Sequence, residues 1–364
     1  DRHPTKTIKM INLSLLEERQ ELPLPAQFQD LAGKKLLVTG AAGFIGGALF
    51  RRLVEYQLDV VGTVLYEEEA RTLREQGDRV EVLDLAGDVD WTPLLEGIDI
   101  VFNIAALFQE VENTEAMYHK VNVEGTLKLL KTAHQAGVER FVHCSTVGVH
   151  GHVKEIPCTE ETPYNPMDEY HRTKLEGELA VLDYGKSLGE EEMIITVNRP
   201  AMVYGPGDVR MMKIFKAIDS GKFMMIGSGE VLAHLGYIDD QVDSLILSGV
   251  RPRDQVHLEA FNIASSHAIT LNEMARFISE AAGVKLSRIK IPVFPVWFAG
   301  LLCEIVCRPL RIKPPIFRRR VGFFTHNRSF DLSKANRMLD YHPRVDDEEG
   351  IKTTLNWYKE KGLL

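Results

Sequence analysis

The 364-residue chain is poor in cysteine and has no long apolar run. Its four cysteines, Cys144, Cys158, Cys303 and Cys307, show no paired zinc spacing, and four in a chain this long build no disulfide framework. Cys303 and Cys307 fall on one face of an expected helix, where the ordinary reading is buried thiols in a reducing compartment. No stretch reaches the roughly 18 apolar residues that a membrane-crossing helix needs. No secretory pattern opens the chain; it begins Asp1-Arg2-His3-Pro4, and Met10 is a candidate start. A surplus of basic charge is also missing. The chain holds 43 Lys and Arg against 52 Asp and Glu, a formal charge of −9. That balance argues against nucleic-acid binding, which needs cations for the phosphates. No metal-ligating pattern, internal repeat or low-complexity segment is present.

What the chain does have is a 45% hydrophobic content, enough for a large core, in a regular alternation of patterns. Residues 1–32 are polar, with an apolar patch at 11–16, and are expected to lie on the surface as an extension. Residues 35–40 form an apolar run ending in glycine, the signature of a buried parallel strand. In 44–56, Ile45, Leu49 and Leu53 recur every fourth residue, so a helix with one apolar face is expected. Further strands are expected at 59–65, 80–85, 98–104, 141–145 and 193–198, and helices at 121–136 and 170–184, with Gly137 closing the first. This order predicts an α/β fold, a Rossmann-type doubly wound parallel sheet whose ligands collect at the carboxyl ends of the strands. Residues 33–205 would be the dinucleotide-binding domain, rejoined at about 236–265 by a further strand. Residues 206–235 and 266–364, punctuated by Gly and Pro, would form a smaller substrate-binding region.

Thr39-Gly40-Ala41-Ala42-Gly43-Phe44-Ile45-Gly46 stands between the first strand and the first helix. In that context G-x-x-G-x-x-G is a phosphate loop. Gly40 makes the tight turn, Gly43 admits a pyrophosphate to the backbone, and Gly46 lets helix and strand pack closely. The free amides and positive dipole end of the helix then face the phosphates. The second strand ends in Leu65-Tyr66, with neither the acid that binds a ribose hydroxyl nor the base that welcomes a 2′-phosphate. Glu67-Glu68-Glu69 follows and would repel a 2′-phosphate, unless the run is only a solvated helix start. NAD is the expected cofactor, with NADP as the alternative.

Tyr170 and Lys174 are four residues apart and share one helix face. A tyrosine with its ordinary pKa is a poor acid or base at neutral pH, and a nearby ammonium would lower it. Ser145 and Thr146 end the fifth strand and offer a hydroxyl to the reacting oxygen; turn or capping roles are the plainer alternative.

With these residues in place, the chain resembles the extended short-chain dehydrogenase/reductases over roughly residues 34–360. Beyond the phosphate loop, Asp84-Leu85 is similar to the family's adenine-contacting acid. Asn103-Ile104-Ala105-Ala106 resembles its H-x-A-A, with asparagine for histidine. Asn122-Val123-Glu124-Gly125-Thr126 resembles N-V-x-G-T, implying a structural and proton-relay role for Asn122. The segment 199–206 resembles R-P-x-x-V-Y-G-P, which places Pro200 and Val203 beside the nicotinamide. The resemblance implies Tyr170, Lys174, Thr146 or Ser145, and Asn122 as the catalytic set. It also implies that Gly40, Gly43, Phe44, Ile45, Gly46, Asp84, Leu85, Ala105, Ala106, Pro200 and Val203, with Tyr170 and Lys174, hold the cofactor. Thr146 matches the catalytic hydroxyl better by its distance from Gly151; His150 stands where the family writes tyrosine.

Within the superfamily the chain looks most like the 3β-hydroxysteroid dehydrogenase and dihydroflavonol reductase branch. His234-Leu235 occupies the place where sugar-nucleotide enzymes carry a diphosphate-binding arginine. Arg328-Ser329-Phe330-Asp331-Leu332-Ser333-Lys334-Ala335 with Tyr341-His342-Pro343 resembles that branch's C-terminal pattern. The expected reaction is therefore alcohol–ketone interconversion on a small hydrophobic substrate, sterol-like or acyl. A nucleotide-sugar epimerase or dehydratase is the alternative, and a cofactor-sensing protein without catalysis a third reading. Residues 293–302 are apolar and aromatic and are followed by Arg308, Arg311, Lys313 and Arg318-Arg319-Arg320. Such an order suits either a pocket wall or peripheral membrane contact through about 293–320. The expected protein is cytoplasmic, peripheral to a membrane in the second case, and by resemblance a homodimer.

Overall fold

The computed structural model describes residues 20–108, 114–152, 155–307 and 321–364. The apolar patch at 11–16 and the basic residues 308–320 lie outside the described residues.

Seven parallel strands form the central sheet. They are β1 (Lys35–Thr39), β2 (Asp59–Val64), β3 (Val80–Val82), β4 (Ile100–Asn103), β5 (Arg140–Cys144), β6 (Ile194–Pro200) and β7 (Glu259–Ile263), in the order β7-β6-β5-β4-β1-β2-β3. Each interior strand is a short apolar run because both sheet faces are covered; Leu36, Leu37, Val38, Val101, Phe102, Phe141 and Val142 are all fully buried. The chain order reverses between β1 and β4, so the crevice at their carboxyl ends is the switch point where such sheets bind ligands.

Helices α1 (Phe44–Glu55), α2 (Glu67–Glu75), α3 (Thr126–Gln135) and α4 (Glu169–Lys186) join β1 to β2, β2 to β3, β4 to β5 and β5 to β6, and the single turn Thr92–Leu95 lies between β3 and β4. Helix α5 (Ile238–Val250) is buried almost end to end and leads into β7, the expected return to the sheet. The expected helix at 121–136 begins earlier: Glu115–His119 and a π-helical turn, Lys120–Gly125, run straight into α3. Residues 115–119 show no apolar period, which is why the pattern missed them. The start is set by Thr114, whose hydroxyl accepts from the Met117 amide.

Residues 20–31 run along the surface but are anchored to the domain at two points. Phe28 and Leu31, on the turn Ala26–Leu31, are fully buried in the main core, and the Leu22 amide donates to the Glu55 carbonyl at 2.8 Å. Two bulky apolar side chains in a polar stretch were enough to anchor it; losing either would cost about 3 kcal/mol.

The second region has its own core, in which Phe215, Ile278, Ile351, Leu355 and Tyr358 are fully buried. It is framed by α6 (Leu271–Ala282), capped reciprocally by Thr270 and Glu273 and closed by Gly283 at φ +72, and by α8 (Asp347–Glu360). Between these two helices in sequence runs α7 (Val293–Cys307), apolar in sequence but for Glu304, with Phe294, Phe298, Leu302 and Ile305 exposed. Cys303 and Cys307 on α7 are consequently half-buried free thiols, not the buried ones expected, whereas Cys144 and Cys158 are buried.

Candidate active site

One cavity of about 1320 Å³ opens along the carboxyl ends of β1, β2, β4, β5 and β6 and continues to residues of α7 and the segment 321–330. That is more than a single small ligand fills, so a cofactor and a substrate fit in one space.

Its floor is the phosphate loop. Gly40 takes φ +73, and a side chain there would come within 3.2 Å of the Ala105 backbone. A side chain on Gly46 would stand 2.3 Å from the Gly40 carbonyl, so only glycine lets α1 sit this close to β1. Helix α1 starts at Gly43 with no side chain accepting from its first turn, which leaves those amides for an anion. Phe44, Ile45, Asp84, Leu85, Ala105, Ala106, Pro200 and Val203 line the same cavity, as do Tyr170 and Lys174. The residues named from sequence for the cofactor are thus brought together, and the cradle fits a dinucleotide.

Thr39 holds the crevice open. Its hydroxyl accepts from the Ile104 and Ala105 amides, both at 2.9 Å, and donates to Asn103 Oδ1 at 3.0 Å. Asn103 is 3.1 Å from His143 Nδ1, and all three side chains are fully buried. The asparagine that replaces histidine in the H-x-A-A pattern therefore ties β1, β4 and β5 together and does not reach the cavity. Burial holds the His143 imidazole well below its usual pKa, with Lys174 adding to the effect.

At the ribose end, Glu67 and Glu68 are exposed, whereas Glu69 is buried and lines the cavity with Leu65 and Tyr66. Its carboxylate accepts from the Tyr66 amide at 3.1 Å, and burial pushes its pKa up. Only one acid of the run thus faces the crevice.

Tyr170 is half-buried in the cavity wall, with its ring edge-on to Phe108 at 4.9 Å. Helix α4 is started by Asp168, which accepts from the His171 amide. Lys174 is buried and its ammonium donates to the Cys144 carbonyl at 2.6 Å. The expected lowering of the Tyr170 pKa by Lys174 is not found. Burial pushes the Tyr170 phenol well above its usual value, and the cation that opposes this is Arg210. The Lys174 head is tied to the end of β5, and its own pKa is lowered by burial. Arg210, which no motif singled out, bonds Asp208 and the Val203 carbonyl, and its guanidinium lies over the rings of Phe44 and Phe108.

The two candidate hydroxyls part company. Ser145 is buried and donates to Glu178 Oε2 at 2.5 Å. Glu178 is also the partner of Arg199, whose guanidinium further contacts Tyr164 and His150. Ser145 also lines the cavity, but its hydroxyl is given to Glu178, and with His150 it joins a buried ionic network beside the site. Thr146 lines the cavity, half-buried, and its hydroxyl oxygen accepts from the Gly148 amide at 3.1 Å, which leaves its proton to donate. Asn122 stays out of the cavity. Its side chain accepts from the Leu107 amide and donates to Leu107 O and Thr173 Oγ1, fixing the loop after β4 against α4.

His234 is buried, stacked on Phe330, with Nδ1 accepting from the Phe330 amide at 3.0 Å and Nε2 donating to the Ser265 carbonyl at 2.9 Å. It is a structural clasp, neutral because burial lowers its pKa to about 4. No guanidinium takes this place. The far wall of the cavity is built from Met167, Met202, Trp297, Phe323 and Phe330, with His152, His326 and Arg328 among them. Sequence patterns gave no warning that these residues converge, because they lie on four separate segments.

The sequence model of the NAD dependent epimerase/dehydratase family matches residues 36–264. The chain is 29% identical over 351 residues to 3beta-hydroxysteroid-dehydrogenase/decarboxylase isoform 1 of Arabidopsis thaliana, covering 88% of this chain and 78% of that protein. It is 26% identical over 335 residues to a mouse sterol-4-alpha-carboxylate 3-dehydrogenase, decarboxylating, covering 88% and 90%. A UDP-glucose 4-epimerase of Vibrio cholerae is 27% identical over 329 residues, covering 88% and 94%. Among solved structures, gox2253 superposes with a TM-score of 0.74 at 25% identity, covering 91% of this chain and 99% of that one.

Proposed function

Because the chain belongs to the NAD-dependent epimerase/dehydratase family, and is thereby an extended short-chain dehydrogenase/reductase using NAD, we propose that it interconverts a secondary alcohol and a ketone on a sterol-like apolar substrate. One observation carries this reading: the cavity that begins at the phosphate loop runs past Tyr170 to a wall of aromatic and methionine side chains, with His234 neutral and fully bonded where sugar-nucleotide enzymes place a cation.

When bound, NAD supplies the hydride acceptor or donor and, oxidised, a positive charge. The loop 40–46 would hold its pyrophosphate, Asp84 and Leu85 its adenine, Lys174 a ribose hydroxyl, and Pro200 and Val203 its nicotinamide. Glu69 on the ribose side disfavours a 2′-phosphate and so favours NAD over NADP. The chain's own chemistry is proton transfer. Tyr170 gives a proton to the substrate oxygen in ketone reduction and takes it in alcohol oxidation. With its pKa held up by burial, the phenol is neutral and ready as an acid; Arg210 is the charge that eases its ionisation as a base. Thr146 donates a hydrogen bond to the same oxygen. Asn122 positions α4 and thereby Tyr170.

The finer reading of location follows from α7. Phe294, Phe298, Leu302 and Ile305 form an exposed apolar face, and Trp297 beside them lines the cavity. This face, followed in sequence by six basic residues from Arg308 to Arg320, is fitted to rest on an anionic bilayer surface. No helix among the described residues is long and apolar enough to cross a membrane.

The test is NADH formation from NAD with a 3β-hydroxysteroid. Turnover in the wild type and its loss in Tyr170→Phe support the reading. Epimerisation of UDP-glucose without steroid turnover would replace it by the sugar-nucleotide alternative.

A further inference from the structure

We propose that Arg328, beside the stacked pair His152 and His326, forms a subsite for a carboxylate carried by the apolar substrate; the proposal rests on the dehydrogenase reading above, since it assigns a second polar group to the same substrate.

Arg328 is half-buried and lines the cavity. Among the described residues its guanidinium meets only backbone oxygens and a ring: Nη1 is 3.2 Å from His326 O and 3.4 Å from Phe323 O, Nη2 is 3.5 Å from Gly322 O, and the group lies 5.6 Å from the Phe323 centroid. The contrast with the other arginines of this cavity wall and its surroundings is sharp. Arg210 is paired with Asp208 at 2.8 Å, and Arg199 with Glu178 at 2.5 Å. Arg328 has no carboxylate within ion-pair distance among the described residues, and the sequence from Cys307 to Phe330 contains no Asp or Glu at all. Burial lowers its pKa with no acid opposing the effect. A cation withdrawn from water without a counter-charge is costly, and a bound anion would offset that cost.

Two imidazoles stand beside it. The rings of His152 and His326 stack at 3.5 Å and 8°, both line the cavity, and a side chain built on Gly322 would meet both. Burial lowers the His152 pKa, and the charges of His326 and Arg328 lower it further. The group is thus a concentration of cationic and titratable basic side chains with no anion of its own among the described residues. The neighbouring walls are Trp297, Phe323 and Phe330. One guanidinium offers the paired donors that a single carboxylate takes, and the apolar walls suit a hydrocarbon body. His152 follows closely on the turn Val147–His150 that Thr146 caps, so the anion and the reacting hydroxyl share one compartment.

The test uses the full-length protein loaded with NADH and titrated calorimetrically with a 3β-hydroxysteroid carboxylic acid, its methyl ester and UDP-glucose. The expected result is that the acid binds at least about tenfold more tightly than the ester, the size of one charge-assisted contact. Arg328→Gln should abolish that preference while leaving NADH and ester binding within about twofold, and Arg328→Lys should keep part of it. Equal binding of acid and ester by the wild type overturns the subsite and leaves the dehydrogenase reading standing. Equal weakening of acid and ester in Arg328→Gln also overturns it, as a merely structural role would. Displacement of the acid by UDP-glucose reassigns the cation to a diphosphate. If neither steroid binds the NADH-loaded wild type, both readings fall together; the wild-type acid–ester comparison decides even should a variant fail to fold.

Discussion

The two ends of the cavity are built on different principles. At the cofactor end, the constraints are in the backbone: a glycine that must bend, another that must let two elements touch, a threonine that must bridge strand ends. The three residues lie within one short stretch, Thr39 to Gly46, although the Thr39 hydroxyl reaches across to the Ile104 and Ala105 amides. At the substrate end, the wall is assembled from side chains separated by more than a hundred residues, such as His152 and His326, and Arg328 there is held, among the described residues, by backbone carbonyls and the Phe323 ring. The first end is made to hold one molecule in one register. The second is made to be filled by shape and charge, and so its residue types say little until the fold brings them together.

The largest expected effect tests whether chemistry resides at the junction of the two ends. Tyr170→Phe should cut turnover by about a thousandfold, in the range of general acid–base contributions, and leave NADH affinity nearly unchanged. A stopped-flow rate with a parallel NADH titration checks both parts. Next, Gly46→Val should break the cofactor end alone: the added carbon meets the Gly40 carbonyl at 2.3 Å. A destabilisation of about 1–3 kcal/mol and weakened NADH binding are expected, read by denaturant unfolding and fluorescence. Retained NADH affinity would mean that the loop is not the phosphate site.

The third prediction concerns His234. Its folded pKa of about 4 lies below the ordinary value near 6.5, so the unfolded chain binds the extra proton first. Stability from this group is therefore whole above pH 6.5 and is lost as pH falls toward 4, by up to about 3 kcal/mol. His234→Gln keeps a donor and an acceptor and does not titrate. Its unfolding free energy should fall less steeply than that of the wild type between pH 6.5 and 4; identical slopes would contradict the clasp. The smallest effect separates the hydroxyls. Thr146→Val should lower the rate about ten- to a hundredfold with stability nearly intact, whereas Ser145→Ala should cost about 1–2 kcal/mol of stability by removing a buried partner of Glu178. The reverse pattern would make Ser145 the catalytic hydroxyl.

The parallel sheet, its switch point and the loop from Gly40 to Gly46 were readable in the sequence because strand burial and glycine spacing are local. So was the placement of Tyr170 and Lys174 in the crevice, although their electrostatics were not: Lys174 turns to the Cys144 carbonyl, and Arg210, forty residues beyond Tyr170, is the cation that acts on the phenol. Ser145 could not be told from Thr146 by position: both line the cavity, and the partner that takes the Ser145 proton, Glu178, is thirty-three residues away. Phe28 and Leu31 were hidden by polar neighbours. Arg328 was visible as part of a pattern, but its lack of an acid partner emerges only when its surroundings are folded.

The central claim is tested most directly by a single turnover of the NAD-loaded protein with a 3β-hydroxysteroid, following NADH formation in the wild type and in Tyr170→Phe. The account predicts a burst of one NADH per active site in the wild type and none on the same timescale in the variant, which still binds the cofactor. Equal bursts in both proteins, or none in either with NAD bound, would contradict it.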